Sequence, residues 1–75
     1  MVKKISIEYC AEWNYYPQAA SLAKEIKDRL GLDVKLIKSG GGVFEIVADK
    51  KLIFSKQKEH RFPEHHEVLE SLKSL

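Results

Sequence analysis

The chain carries a single cysteine, Cys10, at the point where an alternating apolar segment gives way to a run of helical spacing. A thiol in a strand-to-helix loop lies near the positive end of a helix dipole, which favours the thiolate, the nucleophile of thiol-disulfide chemistry. Sites of that design usually carry a second cysteine three residues on, and here that position is Trp13. No histidine or lysine sits adjacent in sequence to activate the thiol, and Glu8 and Glu12 would oppose its ionisation if they lie near. The same residue also has a plain reading, a small buried side chain closing a strand end, as free cysteines often are. On the residues alone both readings stand.

Around Cys10 the sequence gathers aromatic rings, Tyr9, Trp13, Tyr15 and Tyr16. They can form a patch that docks a partner or stacks a small ligand beside the thiol. They can equally close the core of a small domain. Tyr9 and Tyr15 are expected in the core and Trp13 partly exposed. The glycines Gly40 to Gly42 lack the following Lys-Ser/Thr of a phosphate loop and open no helix. They are better explained by positive φ angles, or by close approach of this loop to the Cys10 loop. Gly41 and Gly42 would then present backbone N–H groups to a substrate. His60, His65 and His66, with Glu64 and Glu67, have no zinc-ligand spacing and are expected at the surface. No metal and no cofactor is expected, and neither a catalytic triad nor a paired-carboxylate site has support.

The elements that must position these residues follow from periodicity. Val2 to Tyr9 alternates with period two, Ile5, Ile7 and Tyr9 on one face and Lys4, Ser6 and Glu8 on the other, and predicts a strand. From Pro17, suited to a first helical turn, the residues Ala19, Leu22, Ala23, Ile26 and Leu30 recur at helical spacing. Gly31 suits a left-handed helix end. Asp33 to Lys38 predicts a second strand centred on Val34, Leu36 and Ile37. Val43 to Ala48 and Leu52 to Ser55 predict a hairpin turning at Asp49-Lys50, without the usual glycine. Lys56 to Arg61 reads as a charged loop. Pro63 is expected to start a final helix with Val68, Leu69, Leu72 and Leu75 toward the core.

This order, β-α-β-β-β-α, calls for a right-handed crossover between parallel strands and a later antiparallel section. The expected architecture is an α/β, thioredoxin-like fold, a four-stranded mixed sheet with two helices. That class keeps its reactive thiol in the first strand-helix loop, where Cys10 falls.

At 75 residues the chain is expected to be one domain, 1–75, near the lower size limit for a core without staples. Its 44% hydrophobic and 32% charged content excludes a disordered chain. No apolar run approaches the ~20 residues of a membrane span, and the N-terminus shows no signal-peptide core. No membrane association is expected, and the free thiol fits a reduced, cytoplasmic setting. The net charge of +2 is modest and mixed along the chain, with lysine clusters at Lys3-Lys4, Lys50-Lys51 and Lys56 to Arg61. Dispersed charge of this kind argues against a nucleic-acid partner.

The run Tyr9-Cys10-Ala11-Glu12-Trp13-Asn14-Tyr15-Tyr16-Pro17 resembles the signature of the selenoprotein W-like (Rdx, SelT/SelW/SelH) family. That signature is Tyr-Cys-x-x-Cys (or selenocysteine), a small residue or Asn, an aromatic, and often Pro before the helix. Gly41-Gly42-Val43-Phe44-Glu45-Ile46, Lys51 to Lys56, and Arg61-Phe62-Pro63-Glu64 resemble three further family segments, so the likeness covers nearly the whole chain. It implies a redox role in which only Cys10 can take part, because Trp13 stands at the second redox position. A mixed disulfide on Cys10 would need resolution by glutathione, another small thiol or a partner protein. The first expectation is therefore a monothiol redox or redox-sensing protein using Cys10, flanked by Trp13, Gly41 and Gly42. The alternative is a degenerate, redox-inactive member that binds a protein partner through Trp13, Tyr15 and Tyr16.

Overall fold

The computed structural model describes residues 2–75. Its elements are β1 (Ile5–Cys10), α1 (Tyr16–Leu30), β2 (Val34–Ser39), β3 (Phe44–Ala48), β4 (Lys51–Ser55), α2 (Lys56–Glu59) and α3 (His65–Lys73). The strands form one four-stranded sheet in the order β2-β1-β3-β4. β1 runs parallel to β2 and antiparallel to β3, and β3 is antiparallel to β4. The mixed sheet and thioredoxin-like architecture expected from the sequence are present.

Period-two patterning decides which face is covered. Ile5, Ile7 and Tyr9 of β1 and Phe44, Ile46 and Ala48 of β3 are buried in one cluster with Ala19, Leu22 and Ile26 of α1 and Val68, Leu69 and Leu72 of α3. Both long helices therefore lie on one face of the sheet, α1 over β1 and β2 and α3 over β4 and against α1. The other face carries Ser6, Glu8, Lys35, Ile37, Glu45 and Val47, none of them fully buried.

Helix ends follow local chemistry. Gly31, at φ 69°, terminates α1 in the left-handed conformation, and its N–H donates to Lys27 O at 2.9 Å. The final helix starts two residues later than Pro63 suggested, because Glu64 remains extended and its N–H donates to Glu67 Oε1 at 3.3 Å. Leu75 does not join the core and is 41% exposed, since the helix ends at Lys73. The charged segment after β4 is not all loop: Lys56–Glu59 forms one helical turn, closed by His60 at φ 59°.

The hairpin turns without glycine because Asp49 and Lys50 both adopt positive φ, 50° and 72°. Aspartate tolerates this region better than most residues. Its carboxylate also accepts the N–H groups of Lys3, at 3.1 Å, and Lys4, at 2.8 Å. These bonds pin the start of β1 to the hairpin and hold the Asp49 carboxyl below its ordinary range.

Candidate functional site

β1 ends at Cys10, and Ala11 to Asn14 turn the chain into α1. The turn is tied at both ends. Cys10 N–H donates to Val43 O at 2.9 Å and Ala11 N–H to Ser39 O at 2.9 Å, locking it to β3 and β2. Tyr15 N–H donates to Cys10 O at 3.0 Å and Asn14 N–H to Ala11 O at 3.1 Å, closing the turn on itself. Asn14, at φ 58°, takes the left-handed conformation that aims the chain into the helix.

Cys10 is 0% exposed. It is among the largest fully buried side chains, and its burial next to buried Tyr9 breaks the alternation of β1 at the strand's last residue. Its Sγ accepts the Trp13 N–H at 3.4 Å. The sulfur is thus tied to its own turn. A backbone N–H aimed at sulfur suits the negative charge of a nucleophile or leaving group.

Trp13 caps this arrangement with a 63% exposed side chain. Its indole lies flat on Gly42, where an added Cβ would fall 2.9 Å from Cε3 and from Cη2. At Gly40 an added Cβ would meet Glu12 Oε1 at 2.6 Å. The glycine loop and the cysteine loop are therefore in direct contact, as their composition suggested. Gly42, at φ 74° and buried under the ring, meets both demands that call for glycine, and Gly41, at φ 69°, is exposed beside it.

The rings divide as expected. Tyr9 is buried, and Tyr15 is half-buried against the core, its ring edge-on to Phe62 with centroids 4.8 Å apart. Phe62 in turn packs edge-on against Phe44, at 5.2 Å. Trp13 meets Tyr15 edge-on at 6.1 Å, and Tyr16, 51% exposed, meets Tyr9 at 5.7 Å. Trp13 and Tyr16 are the members of the group that face solvent.

One neighbour escaped sequence reasoning. The Lys56 ammonium lies over the Tyr15 ring at 5.5 Å and the Phe62 ring at 5.3 Å. In the sequence Lys56 merges into a charged run. Hairpin register is the signal that finds it: Glu45 pairs with Ser55 and Phe44 with Tyr9, so β4 ends at the Cys10 end of the sheet.

The histidines lie away from the turn. His65 Nδ1 is 3.1 Å from Glu25 Oε1, joining α3 to α1, and His60 and His66 are exposed. Among the described residues no three His, Cys, Asp or Glu side chains gather as a metal site, and no helix is long and apolar enough to cross a membrane. A broad depression lined by Lys3, Lys4, Lys35, Lys50, Ile37 and Val47 occupies the opposite end of β1 from Cys10.

Residues 4–74 match the Rdx family. Over 71 residues the chain is 28% identical to migration and invasion enhancer 1 of Bos taurus, covering 93% of this chain and 62% of the bovine protein. It is 29% identical over 70 residues to the protein of the same name from Mus musculus, covering 92% of this chain and 61% of the mouse one. The chain thus spans about three fifths of the length of these relatives. A crystal structure of a Bordetella parapertussis protein superimposes with a TM-score of 0.93 at 26% identity, covering 99% of this chain and 98% of that one. The selenoprotein W-related protein of Vibrio cholerae superimposes with a TM-score of 0.90 at 27% identity, covering 95% and 92%. With a thioredoxin-like sheet, its cysteine at the end of the first strand and a family match from end to end, the chain belongs to the Rdx, or selenoprotein W-like, family.

Proposed function

We propose that the protein is a monothiol exchange protein in which Cys10 alone carries glutathione-linked redox chemistry. The observation that carries this reading is the position of Cys10 at the end of the first strand, its Sγ accepting the N–H of Trp13 in the turn that leads into α1, at 3.4 Å. Family membership supplies the redox context.

The cycle closes without a second cysteine. The Cys10 thiolate attacks the glutathione sulfur of a protein–glutathione mixed disulfide, forming a Cys10–glutathione disulfide and expelling the protein thiolate. A glutathione thiolate then attacks the glutathione sulfur of that adduct. The Cys10 thiolate leaves, oxidised glutathione forms, and the proton of the incoming thiol ends on the released protein. A reducing compartment such as the cytoplasm would supply the glutathione and keep the lone thiol free.

The test is turnover of a glutathionylated peptide with excess glutathione. Wild type is expected to release many equivalents of peptide thiol per protein, and Cys10→Ser none above the uncatalysed rate. Wild type no faster than background would overturn the reading. It would then favour the second one, supported by the exposure of Trp13 and Tyr16 beside a fully buried thiol: a redox-inactive docking surface for a protein partner formed with Tyr15.

A further inference from the structure

The face of the sheet opposite the two long helices is not evenly charged. At the end of β1 remote from Cys10 it sinks into a depression of about 820 Å³. Register shows what forms the floor. Lys35 pairs with Ser6 and Ser6 with Val47, one row across three strands, and Ile37, two residues on in β2, stands beside them, 37% exposed. Lys3, Lys4, Lys35 and Lys50, all exposed, line the depression. Lysine stems extend an aliphatic floor while their charged heads stay in water, so the surface is amphipathic.

These charges are not answered from within the molecule. The two acids that also line the depression are engaged, Asp33 with Lys27 at 2.9 Å and Asp49 with the N–H groups of Lys3 and Lys4 at 3.1 and 2.8 Å. None of the four lysines has a carboxylate within ion-pair distance among the described residues. Glu8 and Glu45 share this face in the row of Ile37, one step toward Cys10, and Glu45 accepts the Ser55 hydroxyl at 3.1 Å. They do not line the depression, and they repel an anion toward its lysine end. Four lysines against two aspartates leave that end with a positive surplus.

Shape and charge together select the occupant. A broad, open depression does not wrap a small molecule as ligand pockets do. Several cations around an aliphatic floor match a ligand whose anions flank an aliphatic group. Lys35 in β2 and Lys50 after β3 are two strands apart, about 10 Å at the backbone. In an extended chain alternate side chains share one face, and residues four apart are separated by about 13 Å, a difference that flexible lysine side chains span. We propose that this end of the sheet docks an extended acidic segment of another protein, an aliphatic side chain resting on Ile37 and Val47 and an Asp or Glu two residues to either side meeting the lysines. The surface lies at the far end of β1 from Cys10 and is independent of any chemistry there.

The probe is a fluorescein-labelled peptide with the core Glu-Ser-Leu-Ser-Glu, titrated with the full chain while fluorescence anisotropy is recorded. Wild type is expected to bind it saturably, and Lys35→Glu about three- to tenfold more weakly, the scale of reversing one partly screened charge pair. Ile37→Ser should also weaken binding, and added salt should weaken it in wild type. Lys73→Glu, the same charge change placed on α3, should bind as wild type does. Backbone amide shifts on peptide addition should centre on Ser6, Ile37 and Val47. Equal binding of a Gln-Ser-Leu-Ser-Gln peptide, equal weakening by Lys35→Glu and Lys73→Glu, or no saturable binding would overturn the proposal. So would a wild-type dimer in sedimentation that Ile37→Ser dissociates, because a second copy would then cover this face. Binding to anionic lipid vesicles without binding to the peptide would overturn it in favour of a lipid surface.

Discussion

Cys10 is fully buried at the end of β1, and Trp13 is the exposed residue whose backbone meets its sulfur. Its N–H touches the sulfur and its ring rests on Gly42, so anything that lifts the ring should uncover the thiol. Gly42→Ala puts a methyl group into the indole and forces a left-handed φ on a residue with a side chain. It is expected to destabilise the protein by about 1–2 kcal/mol in urea denaturation. It should also speed alkylation of Cys10 by iodoacetamide under native conditions. Unchanged alkylation in a folded Gly42→Ala variant would show that the ring does not guard the thiol. At this scale the sequence was readable where a residue's type was the message: the lone thiol, the exposed Trp13 and the glycines. It was silent on Lys56, whose placement depends on rings supplied by Tyr15 and Phe62, 41 and 6 residues away.

The elements were legible where their signal is local. The helical spacing of Ala19, Leu22 and Ile26 fixes α1 within a residue, and the alternation of Ile5, Ile7 and Tyr9 finds β1, which begins at Ile5, three residues after the expected Val2. The errors sit at boundaries set by side-chain partners. Glu64 and Arg61 both reach Glu67 and hold the chain extended before α3, delaying that helix. The Asp49-Lys50 turn is a different case: the sequence marks its place, but not the bonds from Lys3 and Lys4, 46 and 45 residues away, that stabilise it. Those two N–H donors lower the Asp49 carboxyl below its unfolded value. A carboxyl with a depressed folded pKa contributes stability above its unfolded pKa, near 3.8, and loses it as pH falls through the depressed value. Wild type should therefore lose part of its urea midpoint between neutral pH and the acid side of that range. Asp49→Asn, which also tolerates positive φ, should start lower and lose less. Equal pH dependence of the two proteins would remove the carboxylate from the account.

At the scale of the whole molecule, one topological fact arranges everything near the thiol. The order β2-β1-β3-β4 brings the end of β1, the start of β3 and the end of β4 to one edge of the sheet. Cys10, Gly42 and Lys56 stand there, on three strand ends far apart in sequence. The fold class was visible from element order because right-handed crossover and hairpin rules leave few alternatives. The contacts at that edge were not, because register decides which residues meet, and register depends on the assembled sheet. The Cys10 turn is attached to the sheet by a few backbone bonds, and Ala11 and Tyr15 at its two ends pack against the core while Glu12 to Asn14 between them are exposed. Such a segment can open without unfolding the rest.

That separability is the central claim, and the rate at which native Cys10 forms a mixed disulfide with oxidised glutathione tests it most directly, measured across low urea concentrations. Exchange through local opening of the Ala11–Asn14 turn exposes little surface, so the rate should be nearly independent of urea until the unfolding transition. A rate that climbs from zero urea with the full slope of global unfolding would contradict it. Cys10 would then be reached only when the whole molecule comes apart, as an inert structural cysteine would be.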